Sequence, residues 1–93
     1  MTIPTVRNMW GNSGWEVPNQ FIIDEGDRET FQSYRTIVAV KDYDAGTTTL
    51  DTFALDYSVT TSRYLYAFLG GTTRREVLAK IKVGTYLVAD LNG

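Results

Sequence analysis

The sequence predicts an α+β protein: a small antiparallel sheet of hairpin or meander type, packed by two short helices and finished by a closing C-terminal strand. Three observations carry this. Short apolar runs alternate with turn signals in the first half, the spacing of large side chains becomes helical after Thr61, and an apolar run returns after Gly84. The expected domain spans residues 20–93, and residues 1–19 read as an N-terminal arm.

In the arm, Met9-Trp10-Gly11-Asn12-Ser13-Gly14-Trp15 sets two Trp around a Gly/Asn/Ser turn, and Pro18-Asn19 interrupts any strand. Two Trp in such a segment are candidate partner-binding anchors, because Trp is enriched at interaction hot spots. The plainer reading folds both rings back as a cap on one face of the sheet. Gln20–Asp24 then reads as a strand, Glu25-Gly26-Asp27-Arg28 as a turn, and Glu29–Tyr34 as the return. The acidic cluster Asp24, Glu25, Asp27 and Glu29 lacks calcium-loop spacing, with Gly26 misplaced, so a solvated turn and no metal site are expected.

Arg35–Lys41 is the clearest strand. Its four consecutive apolar residues, Ile37 to Val40, imply that both faces are covered and that the strand is central. Phe31 and Tyr34 differ in parity, which a bulge near Ser33 reconciles. Asp44-Ala45-Gly46 joins this strand to Thr47–Phe53 as a hairpin. From Thr61 the large residues recur at helical spacing. Asp56, Ser58 and Thr60 are N-cap candidates, Gly70 is the stop, and Tyr64, Leu65, Phe68 and Leu69 should face the core. Thr73-Arg74-Arg75-Glu76 is a capping-box pattern opening a second helix, whose expected buried stripe is Val77, Leu78 and Ile81. Gly84 ends it, and Thr85–Leu91 is the closing strand.

The composition excludes much chemistry. With no Cys there are no disulfides, thiolate nucleophiles or Cys-based metal sites, and with no His the commonest general base and metal ligand are missing. A non-enzyme without catalytic residues or cofactor is therefore expected. The N-terminus lacks a signal-peptide pattern, and the longest apolar stretch, Tyr64 to Leu69, is too short to span a bilayer, so a soluble cytoplasmic protein without membrane contact is expected. Residues 1–62 hold four basic and nine acidic side chains, a net −5, whereas residues 63–93 hold five and two, a net +3. That asymmetry can orient the molecule on a charged partner.

Two candidate binding sets follow. Arg63, Arg74, Arg75, Lys80 and Lys82 could form a basic face toward an anion or nucleic acid, since two Arg in the first turn of a helix oppose its dipole. Glu76 among them also fits an ordinary solvated helix. Trp10 and Trp15, together with Tyr34, Tyr43 and Tyr66, the tyrosines expected at the surface, are the candidate partner-binding aromatics, against core packing for Tyr57, Tyr64 and Tyr86. Gly70-Gly71-Thr72-Thr73 lacks the Gly-Lys-Ser/Thr ending of a phosphate-binding loop.

One further signal lies in Phe31-Gln32-Ser33-Tyr34, Leu50-Asp51, Asp56-Tyr57-Ser58-Val59-Thr60-Thr61-Ser62-Arg63-Tyr64, Phe68-Leu69-Gly70, Ile81-Lys82-Val83-Gly84-Thr85-Tyr86 and Asp90-Leu91-Asn92. Over residues 20–92 the chain resembles a family of short uncharacterised proteins of bacteriophages and some bacterial genomes. Asp-Tyr-Ser-x-Thr-Thr, then Tyr, then Phe-Leu-Gly is the most specific part, and Leu55 stands where an aromatic is commoner. The resemblance assigns no activity; it implies a phage accessory product working in an infected cell's cytoplasm. The leading expectation is a non-catalytic interaction module that binds and modulates a host protein. The alternative is a weak nucleic-acid binder using the basic face, and a homodimer through edge-to-edge strand pairing is a further expectation.

Overall fold

The computed structural model describes residues 3–10 and 14–93. Along the chain lie strands β1 (Thr5–Trp10), β2 (Glu16–Asp24), β3 (Arg28–Ser33), β4 (Thr36–Asp42) and β5 (Thr47–Asp51), helices α1 (Val59–Phe68) and α2 (Arg74–Lys82), and strand β6 (Tyr86–Ala89). All six strands form one sheet in the order β1-β2-β3-β4-β5-β6. The first five make an antiparallel meander, while β6 runs parallel to β5. A parallel neighbour needs a crossover, and α1 and α2 supply it. The fold is α+β as expected, but the last strand does not close the sheet: β1 and β6 are its two edges. Among the described residues no helix is long and apolar enough to cross a membrane.

The stretch expected to be an arm carries an edge strand and the first half of its neighbour. Thr5–Asn8 pairs with Phe21–Asp24, and Trp10 pairs with Glu16. Between those pairings Met9 alone faces Val17 to Gln20, a wide irregularity in the ladder. Pro18 sits inside it, where its missing N–H interrupts no ladder bond, and Asn19 takes the left-handed conformation (φ 65°) that Asn adopts readily. The Pro-Asn pair therefore bends the strand without ending it.

A two-residue turn at Tyr34-Arg35 separates β3 from β4. Tyr34 has φ 56°, an uncommon conformation for an aromatic residue, and its N–H donates to Asn19 O at 2.6 Å. The bulge lies in β4, not near Ser33. Phe31 pairs with Ala39 and Gln32 with Ile37, which leaves Val38 as the extra residue. This corrects the reading of Ile37–Val40 as a strand covered on both faces. Val38 and Ala39 both enter one core, whereas Ile37 and Val40 fall on the other face, aligned with Gln32 and Thr30.

That core lies between the sheet and the helices. Ile22, Phe31, Val38, Ala39 and Leu50 come from the sheet, Ala54 from the following loop, Leu65 and Phe68 from α1, and Val77 from α2. Phe31 and Phe68 stack with centroids 5.8 Å apart, and the Lys41 ammonium lies 4.4 Å from the Phe68 centroid. Ser58 is the N-cap that α1 uses: its side chain accepts from Thr61 N–H. Gly70 (φ 93°) ends the helix, its N–H donating to Ala67 O and that of Gly71 to Tyr66 O, the paired bonds of a Schellman motif. Thr73 caps α2 by accepting from Glu76 N–H. Of the stripe expected on α2, Val77 is buried and Ile81 half-buried, but Leu78 is 47% exposed, because β6 is short and lies at the sheet edge.

Candidate functional site

The β1–β2 hairpin overhangs one end of α1. Its irregular ladder is strapped by Asn8, whose side-chain amide donates to Val17 O at 3.0 Å. The bow from Val17 to Gln20 forms one wall of a groove, with Val17 and Pro18 on it. Trp10, Trp15 and Glu16 add the hairpin's far end, and α1 contributes Arg63, Tyr64, Tyr66 and Ala67, with Gly71 beyond it. The groove encloses about 740 Å³. Trp10 is 65% and Trp15 76% exposed, so neither ring folds back as the cap that the sequence suggested. An open groove bearing two Trp, two Tyr and a Pro offers rigid apolar area that a partner could bury at little entropic cost.

A second groove, of about 570 Å³, lies on the other side of Arg63 and Tyr66, lined also by Leu55, Ser58, Val59 and Ser62. Val59 stands 85% exposed at its rim. Arg74 closes one end, donating to Leu55 O at 2.9 Å and lying 3.6 Å from Asp56.

The expected aromatic set is thus divided. Trp10, Trp15 and Tyr66 come together, joined by Tyr64, which the helical spacing had assigned wholly to the core. Tyr34 sits at the β3–β4 turn beside Ser33, Tyr57 and Thr61. Tyr43 donates its hydroxyl to Glu29, which raises the phenol's pKa to about 12, with burial adding to the rise. The same bond holds Glu29 below its ordinary value, against opposing burial, and Arg7 helps from 3.1 Å. The acidic cluster thus has partners of its own: Asp24 accepts from Gly26 N–H and lies 3.7 Å from Arg7. No group of three acidic residues disposed to hold a metal occurs among the described residues.

The basic set is divided as well. Arg63 stands between the two grooves, Arg74 is committed to the Leu55–Asp56 loop, and the Lys80 ammonium lies 5.3 Å from the Tyr86 centroid. Arg75 and Lys82 are exposed on α2.

The most recognisable sequence segment proves to be a structural latch. Asp51, buried at the end of β5, accepts from the N–H groups of Phe53 (3.1 Å) and Leu91 (3.0 Å), from the Asn92 amide (3.2 Å), and from the Tyr57 hydroxyl. Burial by itself would raise its pKa, but these donors outweigh burial and hold the carboxyl below its ordinary value. Tyr57 is pushed up to about 12, by burial first and then by the Asp51 bond. Asn92 also grips β4, donating to Ile37 O and accepting from Ile37 N–H. Ser33 and Thr61 share a buried hydroxyl–hydroxyl bond of 2.9 Å that joins β3 to α1. Each of these groups has a local structural partner; Ser33, Tyr57 and Thr61 also line a cleft of about 250 Å³ at the β3–β4 turn, and Asp51 lines one of about 230 Å³ beside α2.

A model of one protein family, described as a family of unknown function (DUF8033), matches residues 5–84, from the start of β1 to the glycine that ends α2. The chain belongs to DUF8033. The match takes in β1 and the first half of β2, which lay outside the resemblance read from the sequence. Both grooves of this DUF8033 chain fall within the matched span, as does Asp51, while Asn92 lies beyond it. No curated protein and no solved structure matches the chain.

Proposed function

We propose that the protein is a non-catalytic interaction module, a phage-type accessory product that binds and modulates a host protein through the aromatic groove between α1 and the β1–β2 hairpin. The observation that carries this reading is the exposure of Trp10 and Trp15 beside Tyr64 and Tyr66 in one groove. Exposed Trp on a small domain contributes nothing to its own core, and such rings are the commonest binding anchors. The groove holds one cation, Arg63, and one anion, Glu16, so its contacts are apolar more than electrostatic.

The test is affinity capture from a host lysate, identification of the captured protein, and titration of that purified protein. Trp15→Ala should weaken binding by about 2 kcal/mol, roughly thirtyfold, while leaving the thermal midpoint unchanged. Binding should survive raised salt. An affinity that instead falls steeply with salt and is lost on R74A/R75A assigns the protein to nucleic-acid binding through Arg63, Arg74, Arg75, Lys80 and Lys82. No capture above background would sink the interaction reading.

A further inference from the structure

Both helices pack on the face of the sheet that carries Ile22, Phe31, Ala39 and Leu50. The opposite face has no covering element among the described residues, yet it is not a polar face. The registers align Val6, Ile23, Thr30, Val40, Thr49 and Leu87 in one row across all six strands. A second row aligns Asn8, Phe21, Gln32 and Ile37. Neither row contains a charge. Three charged side chains share the parity of these rows: Arg28 and Asp42 face each other at one end, 4.0 Å apart, and Asp51 lies at the far end of β5, 3% exposed and held by its own donors. None of Phe21, Ile23, Ile37 and Val40 packs against the helix-side core, and Val6 and Leu87 are exposed.

An antiparallel sheet with one solvated face alternates apolar and polar residues, with the polar set outward. Here six of the ten residues in the two rows are Val, Ile, Leu or Phe and two more are Thr, with Asn8 and Gln32 the remaining polar members, a more apolar set than a solvated face carries. We propose that a second copy of the chain covers this surface, the two sheets packing face to face as a homodimeric sandwich. Two features fit a second copy. The two rows are uncharged, the Arg28–Asp42 pair is internally neutral and Asp51 is buried among its donors, so a two-fold operation brings no exposed like charges together. The size also fits. Six strands about 4.8 Å apart, each offering about five residues at ~3.3 Å, give a patch of roughly 500 Å² in projection. Its corrugated accessible area is then on the order of the ~800 Å² per partner that stable interfaces bury. Two such sheets would lie about 10 Å apart. This interface uses the faces of the sheets, not the edges on which the sequence-based dimer expectation rested, and it leaves the aromatic groove on the outer side of each copy.

Sedimentation equilibrium on the full chain tests this. The expected result is a dimer that Val40→Lys and, separately, the rim variant Leu87→Lys shift to monomer, with far-UV circular dichroism unchanged for L87K. Isotope-filtered NMR on a mixed labelled sample should show contacts between copies from the Ile23 and Val40 methyls. A wild-type chain that stays monomeric at millimolar concentration overturns the proposal. So does a dimer that survives L87K and V40K but is lost on Val6→Pro, which would place the contact at the β1 edge. Trp15→Ala should leave the dimer intact, so failure here is separable from failure of the groove reading.

Discussion

Replacing Asp51 by Asn is expected to lower the unfolding free energy by about 3 kcal/mol, because a buried carboxylate that accepts several bonds loses its charge and one acceptor oxygen. Asp51 is 3% exposed and ties four places together: the end of β5, Phe53, Tyr57 and the segment Leu91-Asn92. An amide in its place turns an NH2 toward at least one donor, leaving both unsatisfied. The effect has a pH signature whose sign follows from the shift. The folded-state pKa lies below the ordinary 3.8, so the stabilisation is fully present above that value and is lost as pH falls through the folded pKa. Urea unfolding of both proteins should show a constant gap above about pH 5 that narrows below pH 3.8. Glu29 is also depressed and contributes its own acid sensitivity to both chains, so the difference between the two isolates Asp51. A gap unchanged down to pH 2 would show that the carboxylate's charge does not matter here.

Phe31→Ala is expected to cost about 3–5 kcal/mol. Phe31 has no exposed surface, stacks on Phe68, and lies in register with Ile22 and Ala39 at the middle of the core. Small domains have about 5–15 kcal/mol in total, so the variant should sit near the edge of folding. Phe53→Ala is the internal control: that ring is 60% exposed, and its removal should shift stability by no more than about 0.5 kcal/mol. Equal losses in the two variants would contradict the placement of the core.

The parts of the fold that the sequence announced were those with local chemistry. Gly46 and Gly70 marked a hairpin and a helix end by the left-handed conformation each adopts, and Ser58 and Thr73 marked the caps. What stayed hidden depended on partners distant in the chain. Tyr34-Arg35 makes a turn without Gly, Asn, Asp or Pro, held by a bond to Asn19. The Val38 bulge mimics a doubly buried strand, because two consecutive residues enter one core. Strand β1 has only Arg7-Asn8-Met9 at its centre, a pattern that reads as strand once its neighbour β2 is known. At the site, Trp10, Trp15 and Tyr66 were identifiable as candidates by residue type alone. Their convergence with Tyr64, Val17 and Pro18 required the bow in β2, which no local signal reveals.

The order of strands in the sheet repeats their order in the chain, and this bears on how the molecule assembles. Each antiparallel neighbour is reached through a short turn, so β1 to β5 can zip together as they leave the ribosome, at little loop-closure cost. Strand β6 is the exception: its partner β5 lies across residues 52–85, and the pair can close only after both helices have formed and docked. Until then β5 offers a Thr-rich free edge, a composition less adhesive than an Ile/Val run would be. Pulse-labelled hydrogen exchange should therefore find the β3 and β4 amides protected before those of β6. Simultaneous protection would instead mean that the two-helix crossover is already in place in the folding nucleus.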